Sequence, residues 1–128
     1  MQTKVLIVEA RTSLGKLWQS FLQRQGCDVD LAGNQPDAIG KLRFKNWDVL
    51  VIDLMLPDAS ALAISDFASY KNPDIAIIVV SASSFFSDGS IFEHLSNARG
   101  FMNQPVEAED LAAVVDHCMR PPSHVRAV

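Results

Sequence analysis

Apolar positions along this chain fall into two alternating patterns. The first is a short continuous run: Val5–Val8 after Lys4, Val49–Ile52, and Ile75–Val80. Such runs are too short for helices and suit parallel strands buried on both faces. Asp28–Ala32 (DVDLA) alternates, as a strand nearer a sheet edge does, and Gly100–Met102 is a short fifth strand. The second pattern has helical spacing. Leu14, Leu17, Trp18, Phe21 and Leu22 predict a helix over 13–25, capped by Thr12 or Ser13 and stopped by Gly26. Ala38, Ile39 and Leu42 predict a second, capped by Asn34 with Pro36 in its first turn and ending near Lys45-Asn46. Leu62, Ile64, Phe67 and Tyr70 predict a third, closed by Asn72-Pro73; Ile91, Phe92 and Leu95 mark a short fourth. The last is expected from Ala108 to Met119, with Glu107, Glu109 and Asp110 near its start and Arg120 at its end, as the helix dipole favours.

Strands alternating with helices, without a long linker or repeat, imply an α/β fold: a single doubly wound, five-stranded parallel sheet. In the flavodoxin-like strand order, 2-1-3-4-5, helices cover both faces and strands one and three lie side by side at the switch point. Residues 1–120 would form the domain and 121–128, after Pro121-Pro122, a tail or the start of a linker. Asp53 ends the central run, immediately before Leu54–Leu56 and a Pro57-Asp58 turn. An acid there sits where open α/β sheets place their ligands. The same topology brings Glu9, Ser81 and Gln104 to that edge from the other strand ends.

Composition narrows the function classes. Hydrophobic residues make up 48% and charged residues 20% of the 128, which suits a folded domain. The net charge of −4 argues against a nucleic-acid surface, which needs clustered Lys and Arg. No run has the length of a membrane span and no signal segment opens the chain, so a cytoplasmic protein without direct membrane contact is expected. Cys27 and Cys118 are far apart and read as buried free thiols; His94, His117 and His124 form no triad or metal spacing.

Four stretches, KVLIVEA, DVLVIDLMLPD, VVSAS and GFMNQPV, occur in order at the spacings of one family. Together they resemble the receiver domain of bacterial two-component response regulators over nearly the whole chain. The resemblance implies phosphoryl transfer from a histidine kinase or phosphotransfer protein to an aspartate beside Mg²⁺. Asp53 stands at the phosphoacceptor position, and Met55 where a backbone carbonyl meets the metal. Ser81 fills the hydroxyl switch position; Phe101 fills the aromatic switch position without a tyrosine hydroxyl. Glu9 fits the first acidic position, but Ala10 replaces the second acid and Gln104 the lysine before Pro105, where the family suggests a cis peptide. Ala61 stands where glycine is common. Charge-assisted hydrogen bonds contribute roughly 1.5–3 kcal/mol each. Losing two, if additive, costs about 10²–10⁴ in rate or affinity. The implied metal set is therefore Glu9, Asp53 and the Met55 carbonyl, holding Mg²⁺ weakly.

The reading is an atypical receiver, not an enzyme beyond self-phosphoryl transfer. It signals in a phosphorelay through a face that includes Phe85, Phe86 and Phe92, toward a downstream protein or a second copy as homodimer. The alternative is a pseudo-receiver, a phosphorylation-independent interaction module, which Ala10 and Gln104 favour. A phosphatase on this fold would carry a second acid at Met55, and a flavin carrier a richer phosphate cradle than EARTSLG.

Overall fold

A computed structural model describes residues 2–57, 60–81 and 97–119. Its strands are β1 (Lys4–Val8), β2 (Asp28–Ala32), β3 (Val49–Asp53), β4 (Ala76–Ser81) and β5 (Ala98–Asn103). The described helices are α1 (Thr12–Arg24), α2 (Gln35–Phe44), α3 (Ala61–Lys71) and α4 (Ala108–Met119). The strands form one parallel sheet in the order β2-β1-β3-β4-β5, the doubly wound flavodoxin-like arrangement. The expected helix at Ile91, Phe92 and Leu95, the Phe85-Phe86 pair, Asp58 and the tail from Arg120 lie outside the described residues. No helix among the described residues is long and apolar enough to cross a membrane.

Alternation within each strand divides the core between the two faces of the sheet. Leu6, Val8, Leu50, Ile52, Ile77 and Val79 pack with Ala38 and Leu42 of α2 and with Ala61, Ile64 and Ala68 of α3. Val5, Ile7, Val49, Val51, Ile78 and Val80 meet Trp18 and Leu22 of α1 and Leu111 and Val115 of α4. Every residue of β3 is buried, which is why its sequence is continuously apolar until Asp53.

Local signals set several boundaries as expected. Asn34 accepts a hydrogen bond from Asp37 N at 2.9 Å, satisfying an open donor at the start of α2. Gly26, just past α1, has a φ of 96°, which favours a residue without Cβ. Other details differ from the sequence reading. Arg11, not Thr12 or Ser13, occupies the N-cap of α1, without a side-chain cap hydrogen bond. In α3 the inward stripe is Ala61, Ile64, Ser65 and Ala68, while Leu62 and Tyr70 are exposed. Small residues on either side of Ile64 let that helix lie close to the sheet, Phe67 stays partly buried, and Leu62 and Tyr70 turn outward. β5 starts two residues before Gly100, because ladder pairing with β4 rather than apolarity fixes its end. Cys27 and Cys118 are free, as expected, but half-buried rather than buried.

Candidate functional site

At the carboxyl edge of the sheet, β1 and β3 run side by side and deliver two acids. Both are nearly inaccessible: Glu9 is 1% and Asp53 4% exposed. The chain turns from β1 into α1 immediately after Glu9, and that turn folds Arg11 back over it. Glu9 Oε2 accepts hydrogen bonds from Arg11 N at 2.9 Å and Nε at 3.0 Å, and Oε1 accepts from Nη2 at 3.1 Å. This two-pronged contact matches the planar guanidinium to the planar carboxylate. The same Nη2 lies 3.5 Å from Asp53 Oδ2, at the outer limit of a hydrogen bond. Asp53 Oδ1 accepts from Met55 N at 2.9 Å, so the carboxylate has one oxygen fixed by backbone and the other turned toward the cation.

Burial pushes the Asp53 carboxyl above the ordinary carboxylate range, and neighbouring Glu9 pushes the same way; the Met55 N–H and the Arg11 charge oppose them. The hydrogen bond from Glu9 raises the Arg11 value, so the guanidinium stays charged. Glu9, Ala10, Arg11, Asp53, Met55 and Pro57 line an open crevice of about 190 Å³.

The remaining candidates lie farther along the same edge. Asp53 pairs in register with Val80, which places Ser81 one position beyond it and fully buried. Gln104 N donates to Ser81 O at 2.8 Å, and the Gln104-Pro105 peptide is cis, as the resemblance implied. Neither Ser81 nor Gln104 lines the crevice. Among the described residues, buried Gln104 Nε2 has no hydrogen-bond partner, where the resemblance implies a lysine ammonium. Phe101 is half-buried against the core on the α2–α3 face. The topology thus gathers Glu9, Asp53, Ser81 and Gln104 at one edge, and only the two acids face the same crevice.

As placed, these donors do not suit Mg²⁺, which requires several oxygen ligands in near-octahedral arrangement. Arg11 engages both Glu9 oxygens, Met55 N holds one oxygen of Asp53, and Ala10 offers none. Among the described residues no three His, Cys, Asp or Glu side chains cluster as metal ligands. Arg11 is the site residue that the motifs did not flag. Its signal was its position, two residues after a strand-end acid, within reach of a side chain long enough to fold back.

Comparison with known proteins agrees with the fold. The model of the family described as "Response regulator receiver domain" matches residues 5–116. The chain is 28% identical over 120 residues to the regulatory protein LuxO of Vibrio vulnificus, covering 94% of this chain and 26% of that protein. It is 30% identical over 122 residues to the transcriptional regulatory protein TrcR of Mycobacterium tuberculosis, covering 95% of this chain and 47% of TrcR. The chain therefore spans about a quarter to a half of the length of these relatives. Among solved structures, the chemotaxis response regulator CheY4 of Vibrio cholerae superposes with a TM-score of 0.83 at 18% identity, covering 93% of this chain and 100% of that one. A Burkholderia pseudomallei response regulator, described with a phosphorylated aspartic acid, a calcium ion and citrate, has a TM-score of 0.79 at 19% identity and covers 89% and 66%. With the family model spanning nearly the whole sheet and its helices, this chain belongs to the response regulator receiver domains of two-component signalling.

Proposed function

We propose that this receiver domain carries signal by accepting a phosphoryl group on Asp53 from a phosphohistidine of a histidine kinase or phosphotransfer protein. One observation supports the reading above others: Asp53 is held by Met55 N with its second oxygen turned to a crevice and a cation. That oxygen attacks phosphorus, the phosphorus–nitrogen bond breaks, and imidazole leaves with the electron pair. The new charge would be read by Ser81 and Phe101 on β4 and β5. It would pass to the face of β5 and α4, where a downstream protein or a second copy docks; Phe85, Phe86 and Phe92, outside the described residues, are assigned to the partner surface by sequence alone. The module itself acts in the cytoplasm as a switch, with no turnover on a separate substrate.

The test is transfer from a phosphohistidine-bearing protein, followed by borohydride reduction and peptide mass mapping. Reduction confined to Asp53 supports the reading. Its absence there, with an ordinary receiver reduced in parallel, contradicts it. A second reading, the phosphorylation-independent pseudo-receiver, draws on Arg11 already occupying Glu9. It expects a partner to bind wild type and Asp53→Asn equally.

A further inference from the structure

Arg11 is unusual in being bound deeply at one end and open at the other. Its carboxylate partner is buried, yet its own side chain is 53% exposed at the crevice. Nε and Nη2 are engaged by Glu9 and Asp53; among the described residues Nη1 finds no acceptor. A guanidinium has five N–H donors in a fixed plane, so one edge can grip a carboxylate while others face an incoming oxyanion. Of the side-chain oxygens a divalent cation would need, this group already engages both of Glu9 and one of Asp53, and Met55 N holds the other. Ala10 supplies no replacement, and Gln104 brings a neutral amide instead of a second cation.

We propose that Arg11 is the resident cation of this site and stands in for a divalent metal, so that a phosphoryl group is received at Asp53 without one. Glu9 positions the guanidinium; its free edge meets the phosphoryl oxygens as they approach Asp53. With acetyl phosphate as donor, the Asp53 oxygen–phosphorus bond forms, the phosphorus–oxygen bond to the acetyl group breaks, and acetate leaves with the electron pair. The phosphoryl half of this inference rests on the phosphoacceptor reading; exclusion of the metal does not.

Two measurements on the whole chain test it, on wild type and Arg11→Gln, with circular dichroism confirming that both fold. Mn²⁺ alone, followed by electron paramagnetic resonance, probes the cation site. Removing the guanidinium should tighten Mn²⁺ binding by about tenfold or more, because the Glu9 oxygens become available. Equal affinity in the two proteins, tight or undetectable, overturns the inference. Intact mass after acetyl phosphate treatment, in EDTA and in Mg²⁺, probes the chemistry. Wild type should label at rates within about threefold in the two conditions, while Arg11→Gln should lose about tenfold in EDTA and recover with Mg²⁺. Wild-type labelling only with Mg²⁺ overturns the inference and leaves Asp53 as acceptor. No labelling in either condition overturns the phosphoacceptor reading and the phosphoryl half together; the Mn²⁺ result then decides the metal half alone.

Discussion

Replacing Arg11 with alanine should weaken the fold although the side chain is half in water. The variant loses the Nε and Nη2 hydrogen bonds to Glu9, at 3.0 and 3.1 Å, and keeps the backbone N–H at 2.9 Å. Hydrogen bonds to charged groups contribute about 1.5–3 kcal/mol each, and stripping a buried charge of its partner costs about 3–5 kcal/mol. Arg11 is exposed enough for water and salt to screen part of this, which lowers the expected loss to about 1–3 kcal/mol. For a domain of this size, each kcal/mol shifts Tm by about 4 °C, giving a fall of roughly 4–12 °C. Urea titration followed by fluorescence of the buried Trp18 and Trp47 would measure it directly, with an unchanged m-value showing that the same surface unfolds. Lys16→Ala removes one charge from the exposed face of α1 and should change stability by no more than about 0.5 kcal/mol. If Arg11→Ala changes stability no more than Lys16→Ala, the guanidinium does not compensate Glu9.

Three further perturbations test other parts of the structure. Burial, then the proximity of Glu9, raises the Asp53 value, so the native state retains a proton at pH values where the unfolded chain has released it. Stability is thus lost as pH rises from the unfolded value near ~4 through the native one. Asp53→Asn should therefore have a higher Tm than wild type at pH 7, with the difference shrinking below about pH 4; a lower Tm at pH 7 would reverse the sign. Trp18 Nε1 donates to Val106 O at 3.2 Å within the α1–α4 core, so Trp18→Phe should cost about 1–3 kcal/mol in urea melts by orphaning a buried carbonyl. Gly26→Ala places a Cβ at a φ of 96° and should cost about 1 kcal/mol by thermal melting, although none of the described residues crowds the added methyl.

Much of the fold was legible because its strands are simple. Val49–Ile52 could only be a doubly buried strand, and Asn34, Gly26 and Asn72-Pro73 punctuate helices by local chemistry that needs no tertiary partner. The face of α3 was half legible: Ile64 and Phe67 pack on the core as their spacing predicted, but Leu62 and Tyr70 are exposed and Ala61, Ser65 and Ala68 complete the inward stripe. At the site, strand ends told which acids would meet. They did not tell that Arg11 would lie between them. That depends on the α1 N-cap turning the chain back at Arg11, with its N–H on the Glu9 carboxylate rather than a Thr12 or Ser13 hydroxyl closing the helix. Ala10 and Gln104 suggested lost charge by substitution at motif positions, whereas the guanidinium that meets both acids came from a position outside the motifs.

Intact mass after treatment with acetyl phosphate, with Asp53→Asn alongside, tests the assignment of Asp53 most directly. A single phosphoryl adduct on wild type, absent from Asp53→Asn, is the expected result. No adduct on wild type while an ordinary receiver is modified in the same tube, or an adduct that persists in Asp53→Asn, would contradict it.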